Sequence, residues 1–95
     1  MAIHQVKKIY TVFKDEAIDY EPFQECLMSF DTKEAAINYL NGLVGDVKTF
    51  WKTLGKFEDM EIDDSVPYYF DIYKPFNKDK YHTTLSIFEH EYCQS

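Results

Sequence analysis

Residues 31–57 restrict what this chain can fold into more than any other stretch. The apolar residues Ala36, Leu40, Leu43, Val47, Phe50, Leu54 and Phe57 recur alternately four and three apart, and Ile37, Val44 and Trp51 widen the stripe at intervals of seven. A strand alternates sides at every residue and cannot bury such a set on one face; a helix can. Phe30 precedes an opening in which Asp31 is placed as N-cap, with Glu34 three residues on to complete a capping box. Lys48, Lys52 and Lys56 suit the negative end of the helix dipole, and Gly55 marks the exit. Gly42 and Gly45 weaken the middle, at about 1 kcal/mol each relative to alanine. The stripe passes through them in phase, so the expectation is one helix with a bend, the alternative being two helices joined near Gly45.

The rest of the chain reads as a sheet that covers this helix. Residues 5–14 are β-branched and aromatic enough for a fairly central strand, with Ile9, Thr11 and Phe13 on one side and Tyr10 and Val12 on the other. Residues 15–22 carry four carboxylates, Asp15, Glu16, Asp19 and Glu21, and end in Pro22; they read as an acidic connection in which the strand runs on as far as Ile18. Residues 23–30 form the second strand, paired antiparallel with the first across a short link. After the helix, Glu58, Asp59, Glu61, Asp63 and Asp64 put five carboxylates into seven residues, a density that reads as a solvated loop or the ragged start of a strand.

Residues 66–76 and 81–92 read as a hairpin around the turn Asn77-Lys78-Asp79-Lys80. Pairing Phe76 with Tyr81 puts Phe70 opposite Ile87 and Ile72 opposite Leu85, a core face for the helix. Tyr69, Asp71, Tyr73 and Phe88 then fall on the other face, which a single helix leaves in water. The expected fold is a single α+β domain over residues 1–95, with a four-stranded, mainly antiparallel sheet in ββαββ order packed on one long helix.

Charge decides what such a surface can meet. Seventeen acidic residues against ten basic ones give a net charge of −7, and every basic residue is lysine. A nucleic-acid binder needs a positive footprint and, as a rule, arginine forks for phosphate and guanine, so direct nucleic-acid binding is not expected. An acidic surface instead steers towards basic proteins. Eight Tyr and eight Phe exceed what one helix-and-sheet core hides, which leaves aromatic rings for an interface. The opening residues show no signal peptide and no run of about 18 apolar residues spans a membrane, so the expected location is the cytoplasm.

Chemistry-bearing motifs are missing. His82 and His90 stand eight residues apart on one strand face, without the further ligands that a zinc site needs. Cys26 is expected to be a buried, inert strand thiol, and Cys93 an exposed tail thiol. The acidic run lacks the order of a calcium loop, the serines lack a triad context, and the glycines form no phosphate cradle. No catalytic residue, metal or cofactor is expected.

The expected function is therefore a non-enzymatic, acidic protein-binding module that occludes a basic, nucleic-acid-binding surface on a partner such as a nuclease. Its expected contacts are Asp15, Glu16, Asp19, Glu21, Glu58, Asp59, Glu61, Asp63, Asp64, Tyr69, Asp71, Tyr73 and Phe88. In size and charge the chain is similar to immunity proteins against nuclease toxins and to phage-borne inhibitors of restriction or CRISPR nucleases, which act as DNA mimics; no motif ties it to any one of those families. The alternatives are a self-associating accessory protein, dimerising through the open face or an edge strand, and a small-ligand or enzymatic role needing a deep pocket.

Overall fold

The computed structural model describes residues 5–94, with side chains for residues 7–91; the expectations for the first four residues and for the Cys93 thiol lie outside these. One helix packs on one face of a five-stranded antiparallel sheet, an α+β fold. The elements follow as β1 (Gln5–Ile18), β2 (Glu21–Phe30), α1 (Lys33–Thr53), a short 3₁₀ turn (Phe57–Asp59), β3 (Glu61–Val66), β4 (Tyr69–Tyr73) and β5 (Tyr81–Gln94). Their order across the sheet is β2-β1-β5-β4-β3.

The helix is continuous through both mid-helix glycines, and Leu40, Val47 and Trp51 from its stripe meet Phe70, Ile72 and Leu85 of the sheet in the core. Its cap differs by one residue from the sequence expectation. Thr32, with extended backbone, is the N-cap, and its Oγ1 accepts from the Ala35 amide at 3.2 Å. The exit is a Schellman arrangement: Gly55 at φ +72° donates to the Lys52 carbonyl, and Lys56 donates to that of Trp51.

Five strands, not four, and ββαβββ order, not ββαββ, are a correction with a local cause. Part of the acidic run after the helix is a strand: Glu61 pairs with Tyr73, Ile62 with Ile72 and Asp63 with Asp71. β3 is an edge strand, where carboxylates reach water on either side and their charge discourages further pairing. The chain turns at Pro67-Tyr68, so the expected strand over 66–76 is divided between β3 and β4.

The β4–β5 register is displaced by two residues from the expected one. Phe70 lies opposite Leu85, Asp71 opposite Thr84, Ile72 opposite Thr83 and Tyr73 opposite His82. Residues 74–80 form successive turns closed by the Lys74 amide on the Tyr81 carbonyl at 3.1 Å, so Pro75 and Phe76 fall outside the ladder. An even slip preserves faces, which is why Phe70 and Ile72 still point at the helix.

β1 runs on to Ile18, so Asp15 and Glu16 belong to the strand and not to a loop, and the turn is Asp19-Tyr20 alone, at φ 51° and 70°. The radius of gyration, 16.0 Å, exceeds the roughly 12 Å of a compact chain of this length. The excess comes from β1 and β5: past Tyr10 and Ser86 they have no other strand beside them among the described residues, and continue as a two-stranded ribbon along a 60 Å molecule. No described helix is long and apolar enough to cross a membrane.

Candidate protein-binding surface

The face of the sheet turned away from α1 is built by alternation along four strands. Asp15 of β1, Thr84 of β5, Asp71 of β4 and Asp63 of β3 are successive register partners, so one row of the ladder carries three carboxylates across the sheet. The neighbouring row carries Glu61, Tyr73 and His82. In the other direction Tyr69 faces Ser86, and Phe88 faces Thr11. Seven of the expected contact residues therefore share this face: Asp15, Glu61, Asp63, Tyr69, Asp71, Tyr73 and Phe88.

The remaining six lie elsewhere. Glu16 points under the helix, where its Oε2 accepts from Thr83 at 2.7 Å. Asp19 sits in the β1–β2 turn and accepts from the Tyr81 hydroxyl, with Glu21 exposed just beyond it. Glu58 and Asp59 are in the 3₁₀ turn, Asp59 3.4 Å from Lys74. Asp64 shares a shallow depression with Asn41 and Val44 on the helix flank.

Asp71 departs from the open position expected for it. Only 2% exposed, its carboxylate accepts from Lys78 at 2.7 Å, Thr84 at 2.9 Å and Tyr69 at 3.3 Å. Lys78 folds back from the 74–80 loop to reach it, half-exposed and over the Tyr73 ring. The Asp71 hydrogen bond raises the Lys78 pKa, partly opposed by desolvation. Burial, followed by the Asp71 charge, raises that of Tyr69. Asp71 is thus a fastening inside the face, while Asp15, Glu61 and Asp63 remain accessible around it.

How the described lysines are placed leaves the face anionic. Lys33, Lys52, Lys56 and Lys80 rest 4.8–5.7 Å from the ring centroids of Tyr68, Phe57, Tyr81 and Tyr20. Lys78 brings its ammonium onto the face, on Asp71, whereas Glu61 and Asp63 take hydroxyl donors: Tyr73 on Glu61 at 3.4 Å and Ser65 on Asp63 at 2.9 Å. The Ser65 hydroxyl and amide lower the Asp63 pKa, and burial, with the Glu61 charge next, raises that of Tyr73. A neutral hydroxyl stabilises a carboxylate without cancelling its charge. The nearest imidazole to Asp15, His82, stands 3.9 Å away.

Rings complete the surface. Phe88 is 61% exposed, and Phe13 meets it edge-to-face with centroids 6.4 Å apart. Phe13 is not among the contacts expected from sequence; its side of β1 was legible, but its apposition to Phe88 depends on the β1–β5 pairing. Cys26 is exposed, against the expectation of a buried thiol: β2 is an edge strand, and the register shift after Val12 brings Cys26 opposite Phe13 while Leu27 packs against the core. Among the described residues no three His, Cys, Asp or Glu side chains are grouped to hold a metal ion. Comparison with known protein families, curated proteins and solved structures finds no match.

Proposed function

We propose that this protein is a non-enzymatic binding module that uses the open face of its sheet to occlude a basic, nucleic-acid-binding surface on another protein. The observation that carries the reading is the accessible set Asp15, Glu61 and Asp63, held by hydroxyls or facing a histidine and bordered by the Phe13–Phe88 pair. Carboxylates spread across neighbouring strands stand at multiples of about 4.8 Å, so their row can imitate a line of phosphates. Exposed rings supply the apolar anchors such interfaces need, and the acids supply encounter rate and selectivity. An inhibitor or immunity protein of nucleic-acid enzymes, of the DNA-mimic kind, would have this surface.

The test is affinity capture from the native host at about 50 mM salt, followed by elution in a salt gradient. The expected result is a basic protein that is released as ionic strength rises and whose nucleic-acid binding is suppressed when the complex forms. Capture of no basic protein, or retention indifferent to salt, contradicts the reading.

The two-stranded ribbon favours a second reading, self-association, because its free edges are strand templates. Light scattering at micromolar concentration separates the two: a monomer removes this alternative, and a dimer insensitive to salt favours it.

A further inference from the structure

On the helix-bearing side of the sheet, opposite the open face, two clefts of about 550 and 190 Å³ are both lined by Glu16. The larger lies against the β1–β2 hairpin with Ile18 and Phe23 in its wall, and the smaller runs between α1 and the sheet, walled by Leu43, Val47 and Phe50. The two meet at Glu16 and together form a groove that is mainly apolar in its smaller part and bordered by carboxylates in its larger.

The Glu16 carboxylate is held in place. Trp51, fully buried, donates its Nε1 hydrogen to Thr83 Oγ1 at 2.8 Å, and Thr83 donates on to Glu16 at 2.7 Å. One hydrogen bond occupies one of about four acceptor positions on a carboxylate. The cation nearest in the wall, Lys14, is engaged with Glu25 at 3.8 Å and lies over the Phe23 ring. The rims add Asp19 and Glu21 at one end and Asp46 at the other.

We propose that this groove seats an arginine side chain of a basic protein partner, with its guanidinium on Glu16 and its methylene stem along the apolar walls. The inference rests on the reading that the partner is basic, and adds a second point of attachment away from the open face. Charge complementarity selects a cation, since four carboxylates border the groove against one occupied ammonium. The apolar walls select arginine over lysine: guanidinium is planar, weakly hydrated and able to bond a carboxylate with two parallel donors, whereas ammonium is compact and strongly hydrated.

The only tryptophan of the chain gives the experiment its signal, because Trp51 is two hydrogen bonds from the proposed seat. Capped tripeptides Gly-Arg-Gly, Gly-Lys-Gly and Gly-citrulline-Gly are titrated into the intact protein at about 20 mM salt, followed by Trp51 emission and by amide shifts. The expected result is that the arginine peptide changes Trp51 emission, shifts the amides of Glu16, Ile18, Val47 and Phe50, and binds several-fold more tightly than the lysine peptide. Citrulline in the peptide, or Glu16→Gln in the protein, weakens binding about tenfold, as loss of a charge-assisted pair does. The carboxamide introduced by Glu16→Gln can still accept from Thr83, so the fold is retained; the exposed Asp46→Asn weakens binding about threefold without touching the core. Equal affinity for arginine and lysine, shifts confined to the open face, or the absence of any shift overturns the groove. The basic-partner reading then stands or falls separately, on capture by the open-face carboxylates.

Discussion

Lys78 Nζ lies 2.7 Å from Asp71 Oδ2, joining a loop lysine with half its side chain in water to a carboxylate that is 2% exposed. The pair fastens the 74–80 loop onto the open face, and Thr84 and Tyr69 complete the donors around the acid. Removing the lysine leaves a buried charge with neutral donors only. Such losses reach about 3–5 kcal/mol for fully buried pairs, and exposure of Lys78 scales this to roughly 1–2 kcal/mol. Urea unfolding of Lys78→Met at pH 7 is expected to show that loss, and Asp71→Asn in the same chain is expected to recover part of it. A Lys78→Met chain as stable as the parent would mean that the pair fastens nothing.

Trp51 offers an independent check on the core. Thr83→Val keeps the shape but leaves the Trp51 indole N–H and the Glu16 carboxylate without their mutual partner. An orphaned buried donor costs about 1–3 kcal/mol, so a loss near 2 kcal/mol is expected in chemical denaturation, together with an altered Trp51 emission maximum. An unchanged midpoint and spectrum would contradict the hydrogen-bond chain.

The three glycines should respond with opposite signs. A Cβ at Gly42 or Gly45 meets nothing within 4 Å, and both lie inside a continuous helix, so alanine at either is expected to stabilise by about 0.5–1 kcal/mol. Gly55, at φ +72°, closes the helix, and alanine there is expected to cost about 1 kcal/mol. Thermal melts of the three variants measure this; stabilisation by Gly55→Ala, or destabilisation at Gly42 or Gly45, would contradict the helix described.

Alkaline pH should unfold the protein earlier than exposed tyrosines and lysines alone explain. Hydrogen bonding to Asp71 raises the pKa of Lys78, and hydrogen bonding to Asp19 raises that of Tyr81; burial raises those of Tyr69 and Tyr73. Folding thus favours the protonated form of each group. The stability they add is complete below their unfolded pKa values, about 10, and is lost as pH rises through the higher folded values. Urea midpoints measured from pH 8 to 11.5 are expected to hold level to about pH 9.5 and then fall. Tyr81→Phe should reduce the slope, and a slope unchanged by it would remove Asp19–Tyr81 from this account.

The helix and most of its buried stripe were legible in sequence because a period of four and three admits one geometry only, although the helix ends at Thr53, Phe57 falls in the 3₁₀ turn, and Phe50 and Leu54 are exposed. What stayed hidden depended on partners distant in the chain. The Asp-Tyr pair is not a recognised hairpin signal; its two positive φ angles are sustained by Asn77 on the Tyr20 hydroxyl at 3.0 Å and by the Tyr20 amide on the Lys80 carbonyl. β3 was half hidden for the same reason: on local charge alone Glu61–Val66 reads as a loop or as the ragged start of a strand, and pairing with β4 decides for the strand. The open-face assignment survived a wrong register because the error was even, whereas burial of Asp71 turned on Lys78, seven residues away across a loop.

The most direct measurement of the binding account compares capture by three forms of the protein from the same host lysate at low salt. One is the parent; one carries Asp15→Asn, Glu61→Gln and Asp63→Asn; the third carries the same charge change off the open face, through Glu34→Gln, Glu58→Gln and Glu91→Gln. The account predicts that a basic protein is retained by the parent and by the third form and is lost, at least tenfold, from the open-face variant. Equal retention by all three forms would contradict it.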